Sequence, residues 1–207
     1  MDDLTGRARR LLDGDGRAVL GLCGAPGSGK STLARGLAER FGTAAVVLPM
    51  DGFHLHDDVL AGLGSLDRKG APDTFDVDGY VALLGRLRED NDRPVYAPAF
   101  DRDHEVSLAG AIPVLPEHRL VITEGNYLLL ESPGWREVRP LLTECWFLEV
   151  DDDVRRERLV ARHVQHGRTR EAATAWVQRS DEPNARLVAA TRDRADLVVE
   201  PPAWMAR

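Results

Sequence analysis

The fold of this chain follows from one octapeptide, Gly24-Ala25-Pro26-Gly27-Ser28-Gly29-Lys30-Ser31. It lies between an apolar run at residues 18–23 and a helical pattern that begins at Thr32. A strand, a glycine-rich loop and a helix in this order are typical of a phosphate-binding loop, with a plain glycine-rich turn as the alternative. The glycines let backbone N–H groups face the phosphates, Lys30 reaches the β- and γ-phosphates, and Ser31 offers its hydroxyl to Mg²⁺. The sequence therefore predicts a nucleoside triphosphate site at residues 24–32.

The composition restricts the class of protein. The 207 residues suit a single α/β domain, residues 1–207, which can bury about 70% of its unfolded surface. A net charge of −7 argues against a nucleic-acid-binding surface, because such surfaces need clustered Lys and Arg. No apolar stretch approaches the ~20 residues that cross a bilayer, and the acidic start is unlike a signal peptide. We therefore expect a cytoplasmic protein with no membrane or nucleic-acid partner, and with Cys23 and Cys145 as buried reduced thiols.

Short apolar runs alternate with helical patterns along the chain, which predicts a parallel sheet flanked by helices. The predicted strands are residues 18–23, 43–50, 119–123, 144–150 and 195–199. The predicted helices follow the phosphate loop and cover residues 77–88, 151–165 and most of 169–194, with an interruption near Pro183. The polar stretch 64–76, which contains Gly and Pro, is a candidate functional loop.

Two acids follow predicted strands at the edge where ligands of open parallel sheets gather. Asp51 ends the strand at 43–50, and a carboxylate there can orient an acceptor hydroxyl and take its proton. A loop-capping aspartate is the alternative. Glu124 ends the strand at 119–123, where phosphate-loop enzymes hold an acid near Mg²⁺, and a purely structural glutamate is the alternative.

An arginine-rich helix is predicted after the fourth strand. It carries Arg155, Arg156, Arg158 and Arg162, of which the last two are four residues apart and share a face. Such a face can grip the γ-phosphate, whereas the alternative is a solvated helix whose arginines pair with nearby acids. Asp151 to Asp153 are interpreted as helix-start charges rather than metal ligands.

Two further features remain open in the sequence, and a third is discarded. His54 and His56 could bind a metal, but hydrogen bonding of the substrate by His54 is favoured. Lys69 is one of only two lysines and lies in the candidate functional loop, with an ordinary surface lysine as the alternative. The D-x-x-G pattern at residues 67–70 follows no buried strand and is discarded as a guanine-nucleotide motif.

Several segments together resemble the uridine kinase, pantothenate kinase and phosphoribulokinase group of P-loop kinases, most closely its small bacterial nucleoside or sugar kinase-like members. They are residues 24–32 (GAPGSGKST), 50–55 (MDGFHL), 68–76 (RKGAPDTFD), 94–102 (PVYAPAFDR), 123–130 (TEGNYLLL), 158–163 (RLVARH) and 181–188 (DEPNARLV). The resemblance covers about residues 17–200. It implies a P-loop NTPase fold, a parallel sheet flanked by helices with an Arg-rich helical lid at about residues 151–170.

The resemblance also implies ATP and Mg²⁺ as cofactors and assigns roles to individual residues. Asp51 matches the catalytic base, Glu124 the acid near Mg²⁺, and Arg158, Arg162 and Arg168 the lid. Asp73 matches a carboxylate that bonds substrate hydroxyls, and Tyr96 an aromatic residue of the substrate cleft. The candidate acceptor-binding residues are therefore Asp51, His54, Lys69, Asp73, Tyr96 and Tyr127.

One departure bears on the acceptor. Uridine kinases carry a His in the segment that matches residues 94–103, whereas this chain has Phe100-Asp101-Arg102, so uridine is not favoured. Pantothenate is not favoured either, because pantothenate kinases are longer. The expected reaction is phosphorylation of a hydroxyl on a small polar metabolite such as a sugar, a nucleoside or a vitamin-like alcohol. The rivals are a nucleoside monophosphate kinase and a nucleotide-dependent switch that acts through a partner; homo-oligomerisation stays open.

Overall fold

A computed structural model of the chain describes residues 1–14, 16–89 and 92–200. Its strands are β1 (Ala18–Cys23), β2 (Ala45–Pro49), β3 (Val95–Asp101), β4 (Val106–Val114), β5 (Leu120–Gly125), β6 (Glu144–Leu148) and β7 (Leu197–Val199). Its α-helices are α1 (Asp2–Arg10), α2 (Lys30–Phe41), α3 (Asp57–Gly62), α4 (Val77–Arg88), α5 (Asp152–Gln165), α6 (Arg170–Trp176) and α7 (Glu182–Ala189).

Five strands form one parallel sheet in the order β2-β5-β1-β6-β7. The central strand β1 is buried along its whole length, because helices cover both faces of the sheet. Its Val19 and Cys23 face a core shared with α4, whereas Leu20 and Leu22 face a core shared with α1 and α2. The predicted α/β class with a parallel sheet is therefore confirmed. Among the described residues, no helix is both long and apolar enough to span a membrane.

The remaining strands, β3 and β4, form a separate antiparallel hairpin. Val95 and Ala97 of β3 and Val114 of β4 anchor it to the core beside α4, while most of β4 is exposed. The sequence did not predict this hairpin. Pro98, Pro113 and an irregular register interrupt the period-two pattern that identifies a strand.

Several boundaries also differ from the predictions. The strand predicted at 43–50 is shorter, since residues 42–44 form a 3₁₀ turn and Met50 begins another. Helix α1 was not predicted, because its sequence DDLTGRARR carries few apolar side chains. The interruption expected near Pro183 lies before it, in a π-helical stretch at Val177–Asp181. Pro183 itself lies in the first turn of α7, where its missing N–H costs no hydrogen bond.

Candidate active site

The phosphate loop connects β1 to α2 as the sequence predicts. Gly27 has a φ of +82°, and a Cβ at this position would lie 2.7 Å from the carbonyl oxygen of Arg155 in α5. Only glycine can both adopt this positive φ and leave room for the carbonyl oxygen. The loop is therefore held in close contact with the first turns of the predicted lid helix.

Lys30 is the first residue of α2 and is almost completely buried. Its Nζ donates hydrogen bonds to the carbonyl oxygens of Gly24 (2.8 Å) and Ala25 (3.0 Å) within the loop. Burial lowers the pKa of Lys30, and the charge of Glu124 opposes this shift. The ammonium group is thus positioned at the loop, next to an acid from a neighbouring strand.

Ser31 and Glu124 meet directly, since the Ser31 hydroxyl donates to Glu124 Oε1 at 2.7 Å. Glu124 is only 6% exposed, and burial, followed by the nearby charge of Asp51, raises the pKa of its carboxyl. A hydroxyl and a buried carboxylate are oxygen donors of the kind that Mg²⁺ prefers, so these two residues fit the ion. Among the described residues no group of three or more His, Cys, Asp or Glu could hold a metal, which leaves the His54 and His56 alternative without a third ligand.

Asp51 lies in the 3₁₀ turn Met50–Phe53 that follows β2. Because Pro49 of β2 is opposite Glu124 of β5, the two acids end neighbouring strands at the same edge. Arg102 Nη2 donates to Asp51 Oδ2 at 2.6 Å. Burial acts to raise the pKa of Asp51, but the nearby side chains of His54, Arg102 and Lys30 outweigh this effect and lower it.

The turn around Asp51 is packed against the hairpin. A Cβ on Gly52 would collide with the carbonyl oxygen of Pro98, so glycine permits the close approach of β3. This packing brings Arg102, at the end of the hairpin, to Asp51. Arg102 is a site residue that the sequence analysis did not assign, although its segment was singled out as the departure from uridine kinases.

His54 is fixed beside Asp51. Its Nδ1 lies 2.8 Å from the Asp51 carbonyl oxygen, and because a carbonyl only accepts, Nδ1 carries the proton. The ring packs against Phe75 and Phe100 in tilted arrangements, with centroid distances of 4.1 Å and 4.6 Å. Burial lowers the pKa of His54, which favours the neutral ring with Nε2 as its acceptor.

Lys69 is not an ordinary surface lysine, because its side chain is only 12% exposed. Its Nζ donates to Asp57 Oδ1 at 2.6 Å and to the Glu105 carbonyl oxygen at 2.8 Å. It also lies 5.4 Å from the centroid of the Phe100 ring. Lys69 therefore ties the candidate functional loop both to α3 and to the turn of the hairpin.

Asp73 receives two hydrogen bonds from Arg68, at 2.9 Å and 2.7 Å, and both side chains are about half exposed. Tyr127, in contrast, is fully buried, and its hydroxyl donates to the Gly70 carbonyl oxygen at 2.5 Å. In the loop at 64–76, the side chain of Asp73 is thus exposed to solvent. The backbone of the same loop is hydrogen-bonded to Tyr127. The described hydrogen bond of Tyr127 joins it to the backbone of the loop, and its contact with the acceptor stays a prediction.

Tyr96 lies on the exposed face of β3, and its place in the substrate cleft stays a prediction. It alternates along β3 with Val95 and Ala97, which face the core, and its side chain is 60% exposed on the opposite face. The described contacts do not join it to Asp51, His54 or Lys69. The strand alternation that determines this orientation could not be used at the sequence level, because the strand itself was not predicted.

The lid helix α5 begins as predicted, because Asp151 caps it by accepting from the N–H groups of Asp153 and Val154. Arg155 is 2% exposed and pairs with Asp152 and with Glu182 of α7. Arg156 pairs with the same two acids and with Asp153. These two arginines therefore join α5 to α7. For them, the structure agrees with the alternative that arginines of this helix pair with nearby acids.

The other three arginines lie farther along the lid. Arg162 is one turn beyond Arg158 on α5, and burial lowers its pKa while the acids Asp181, Asp51 and Glu124 act against the shift. Arg168 follows α5, and its guanidinium carbon lies 4.1 Å above the Trp176 ring. Within the described residues, its buried Nη1 has no hydrogen-bond partner. Arg162 thus lies within electrostatic reach of the two acids at the strand ends.

Comparisons with known proteins agree with this geometry. The model of the phosphoribulokinase / uridine kinase family matches residues 19–203. A putative uridine kinase of Schizosaccharomyces pombe is 37% identical over 210 residues, which cover 96% of this chain and 89% of that protein. A solved putative fructose transport system kinase from Silicibacter sp. is 42% identical, with a TM-score of 0.86 over 95% of this chain and 98% of that one. YFH7 from Saccharomyces cerevisiae, a putative P-loop containing kinase, shares the fold at 18% identity, with a TM-score of 0.82 over 97% and 98% of the two chains. The predicted P-loop NTPase fold and the family resemblance are confirmed.

Proposed function

The chain belongs to the phosphoribulokinase and uridine kinase family of kinases, and we propose that it transfers the γ-phosphoryl group of ATP to a hydroxyl of a small polar metabolite. The family implies ATP and usually Mg²⁺. In this proposal the loop at 24–32 and Lys30 hold the phosphates, and Ser31 and Glu124 would hold Mg²⁺, which would supply positive charge for the phosphate oxygens.

Asp51 is proposed as the residue that accepts the proton. The acceptor oxygen forms a bond to the γ-phosphorus, the bond from that phosphorus to the ADP oxygen breaks, and the hydroxyl proton passes to Asp51. The observation that carries this proposal is the placement of Asp51 and Glu124 at the ends of neighbouring strands. One acid bonds to Ser31 of the phosphate loop, and the other bonds to Arg102 of the hairpin.

The lid arginines complete the proposed site. Arg162, within electrostatic reach of both acids, is proposed with Arg158 to neutralise the transferring phosphoryl group, and Arg168 is proposed to bind the nucleotide. Closure of the lid over the phosphates would exclude water and limit hydrolysis of ATP. His54, Lys69 and Asp73 are proposed to form the acceptor side, with Tyr127 supporting its loop.

The test is acceptor-dependent ADP release from a panel of sugars, nucleosides, vitamin-like alcohols and nucleoside monophosphates. With the best acceptor, Asp51→Asn should lower kcat by about 10²–10⁴-fold, the usual effect of losing a positioned acid or base. ATP affinity measured by calorimetry should persist, because Asn keeps the shape of the side chain.

Two results would contradict the proposal. Wild-type rates in Asp51→Asn would remove Asp51 as the base and would favour a nucleoside monophosphate kinase, whose phosphate acceptor needs none. Rapid ATP turnover without any small acceptor, dependent on a protein partner, would favour the nucleotide-dependent switch.

A further inference from the structure

The proposed base, Asp51, already has a cationic partner. Arg102 Nη2 lies 2.6 Å from Asp51 Oδ2, and the two side chains are 47% and 27% exposed. A carboxylate paired with a guanidinium is a weaker proton acceptor than a free one, because protonation would remove the attraction. In this arrangement Asp51 is poorly suited to take a hydroxyl proton.

Arg102 must therefore gain another anionic partner when Asp51 is to act. Three other carboxylates on the acceptor side have partners of their own. Asp73 is paired with Arg68, Asp57 with Lys69, and Asp101 with His104. Moving Arg102 to one of them would break an existing pair, so a replacement anion is best supplied from outside the chain.

The position of Arg102 suits such an anion. It lies at the end of the hairpin with its guanidinium carbon 6.0 Å from the Phe100 centroid, and the same ring packs against His54 and Lys69. A planar guanidinium matches carboxylate and phosphate groups with two parallel hydrogen bonds. An anion bound here would lie next to Asp51, on the side of the hairpin.

We propose that the acceptor carries a carboxylate or phosphate group in addition to the hydroxyl that is phosphorylated, and that Arg102 binds this group and thereby releases Asp51. The proposal rests on the kinase reaction proposed above. A neutral acceptor leaves Arg102 on Asp51, so the same contact that binds an anionic acceptor disfavours a neutral one. Arg102 is then the residue that determines which class of acceptor is used.

The experiment compares pairs of acceptors that differ in charge: ribose and ribose 5-phosphate, glycerol and glycerol 3-phosphate, glucitol and gluconate, pantothenol and pantothenate. Acceptor-dependent ADP release is measured for the wild type, Arg102→Gln and Arg102→Lys. Arg93→Gln, which alters an exposed arginine at the other end of the same hairpin, is the matched control. ³¹P NMR of the product identifies the atom that receives the phosphoryl group.

We expect the wild type to prefer an anionic member over its neutral partner by about 10–100-fold in kcat/KM, the range for hydrogen bonds to charged groups. Arg102→Gln should remove most of this preference by raising KM for the anionic member, Arg102→Lys should restore part of it, and Arg93→Gln should leave it unchanged. The product should be a phosphate ester of the hydroxyl.

Three results overturn the inference. They are a preference for neutral members, an equal loss for both members in Arg102→Gln, and a product in which the phosphoryl group is attached to the anionic group itself. With turnover of neutral acceptors alone, the kinase reaction stands and the inference about Arg102 fails. With no ADP release from any member of these pairs or of the wider panel, the kinase reaction fails first.

Discussion

The two lysines of this chain show how differently the two halves of the site are built. Lys30 belongs to the nucleotide side, defined as residues 24–32 with Glu124, where it bonds to backbone carbonyls of its own loop. Lys69 belongs to the acceptor side, defined as residues 51–76 with the hairpin, where it bonds to Asp57 and to Glu105, which lies 36 residues away. One side is made by consecutive backbone groups, and the other by side chains from distant segments.

This difference bears on how each side binds its ligand. The nucleotide side offers backbone N–H groups and a helix N-terminus, whose orientation is determined by the fold. The acceptor side is a set of ion pairs, Arg68 with Asp73 and Arg102 with Asp51 among them. Because these exposed pairs are weak, a ligand can exchange partners with them at small cost. We therefore expect the nucleotide side to be preformed and the acceptor side to rearrange when it binds its ligand.

Among the variants that test this division into two sides, Lys30→Ala should have the largest effect. Loss of the ammonium should lower kcat by about 10²–10³-fold, the scale for losing one preorganised group that stabilises transition-state charge. Lys69→Ala is the matched variant: it should raise the acceptor KM and leave ATP affinity unchanged. The measurements are steady-state kinetics in both substrates and ATP calorimetry. A drop in ATP affinity for Lys69→Ala would contradict the division of the site into a nucleotide side and an acceptor side.

Glu124→Gln should come next, because it removes a charge from the proposed Mg²⁺ site while keeping the shape of the side chain. We expect activity or apparent Mg²⁺ affinity to fall by about 10–100-fold, as for residues that support a metal. The control is Glu144→Gln, which alters an acid paired with Arg7 outside the described site. An unchanged Mg²⁺ titration would leave Glu124 with a structural role only.

Asp73→Asn should have an intermediate effect that is confined to the acceptor side. It should raise the acceptor KM by about tenfold, the lower range for a hydrogen bond to a charged group, with little change in the ATP KM. Asp67→Asn, in the same loop, is the control and should change neither constant. If both constants of Asp73→Asn match the wild type, the acceptor does not contact this part of the loop.

Tyr127→Phe should have the smallest effect. It removes the hydrogen bond to the Gly70 carbonyl oxygen and should lower the free energy of unfolding by about 1 kcal/mol. Tyr80→Phe is the control, because the Tyr80 hydroxyl lies 2.6 Å from Thr123 Oγ1 in the core. Both variants should lose similar stability in denaturant titrations, but only Tyr127→Phe should also raise the acceptor KM. Equal KM values would show that the loop does not depend on this support.

The same contrast explains which features the sequence could predict. The phosphate loop, the acids that end β2 and β5, and the cap of α5 depend on neighbouring residues, so local patterns identified them. The Arg102 contact with Asp51 joins residues 51 apart through a hairpin whose strands were not predicted. Likewise, the positions of Tyr96 and Tyr127 depend on strand alternation and on packing under the loop. Local patterns carry no information about such tertiary contacts.

The fluorescence of Trp176 can be used to observe the predicted lid. Its indole is flanked by the guanidinium groups of Arg168 and Arg179, at 4.1 Å and 5.1 Å. Trp135 and Trp146 are buried in the core and supply a constant background, and Trp204, which lies outside the described residues, can be replaced by Phe. If Arg168 leaves the indole to bind ATP, the emission of Trp176 changes with it. Trp176 would then report the proposed closure of the lid without an attached dye.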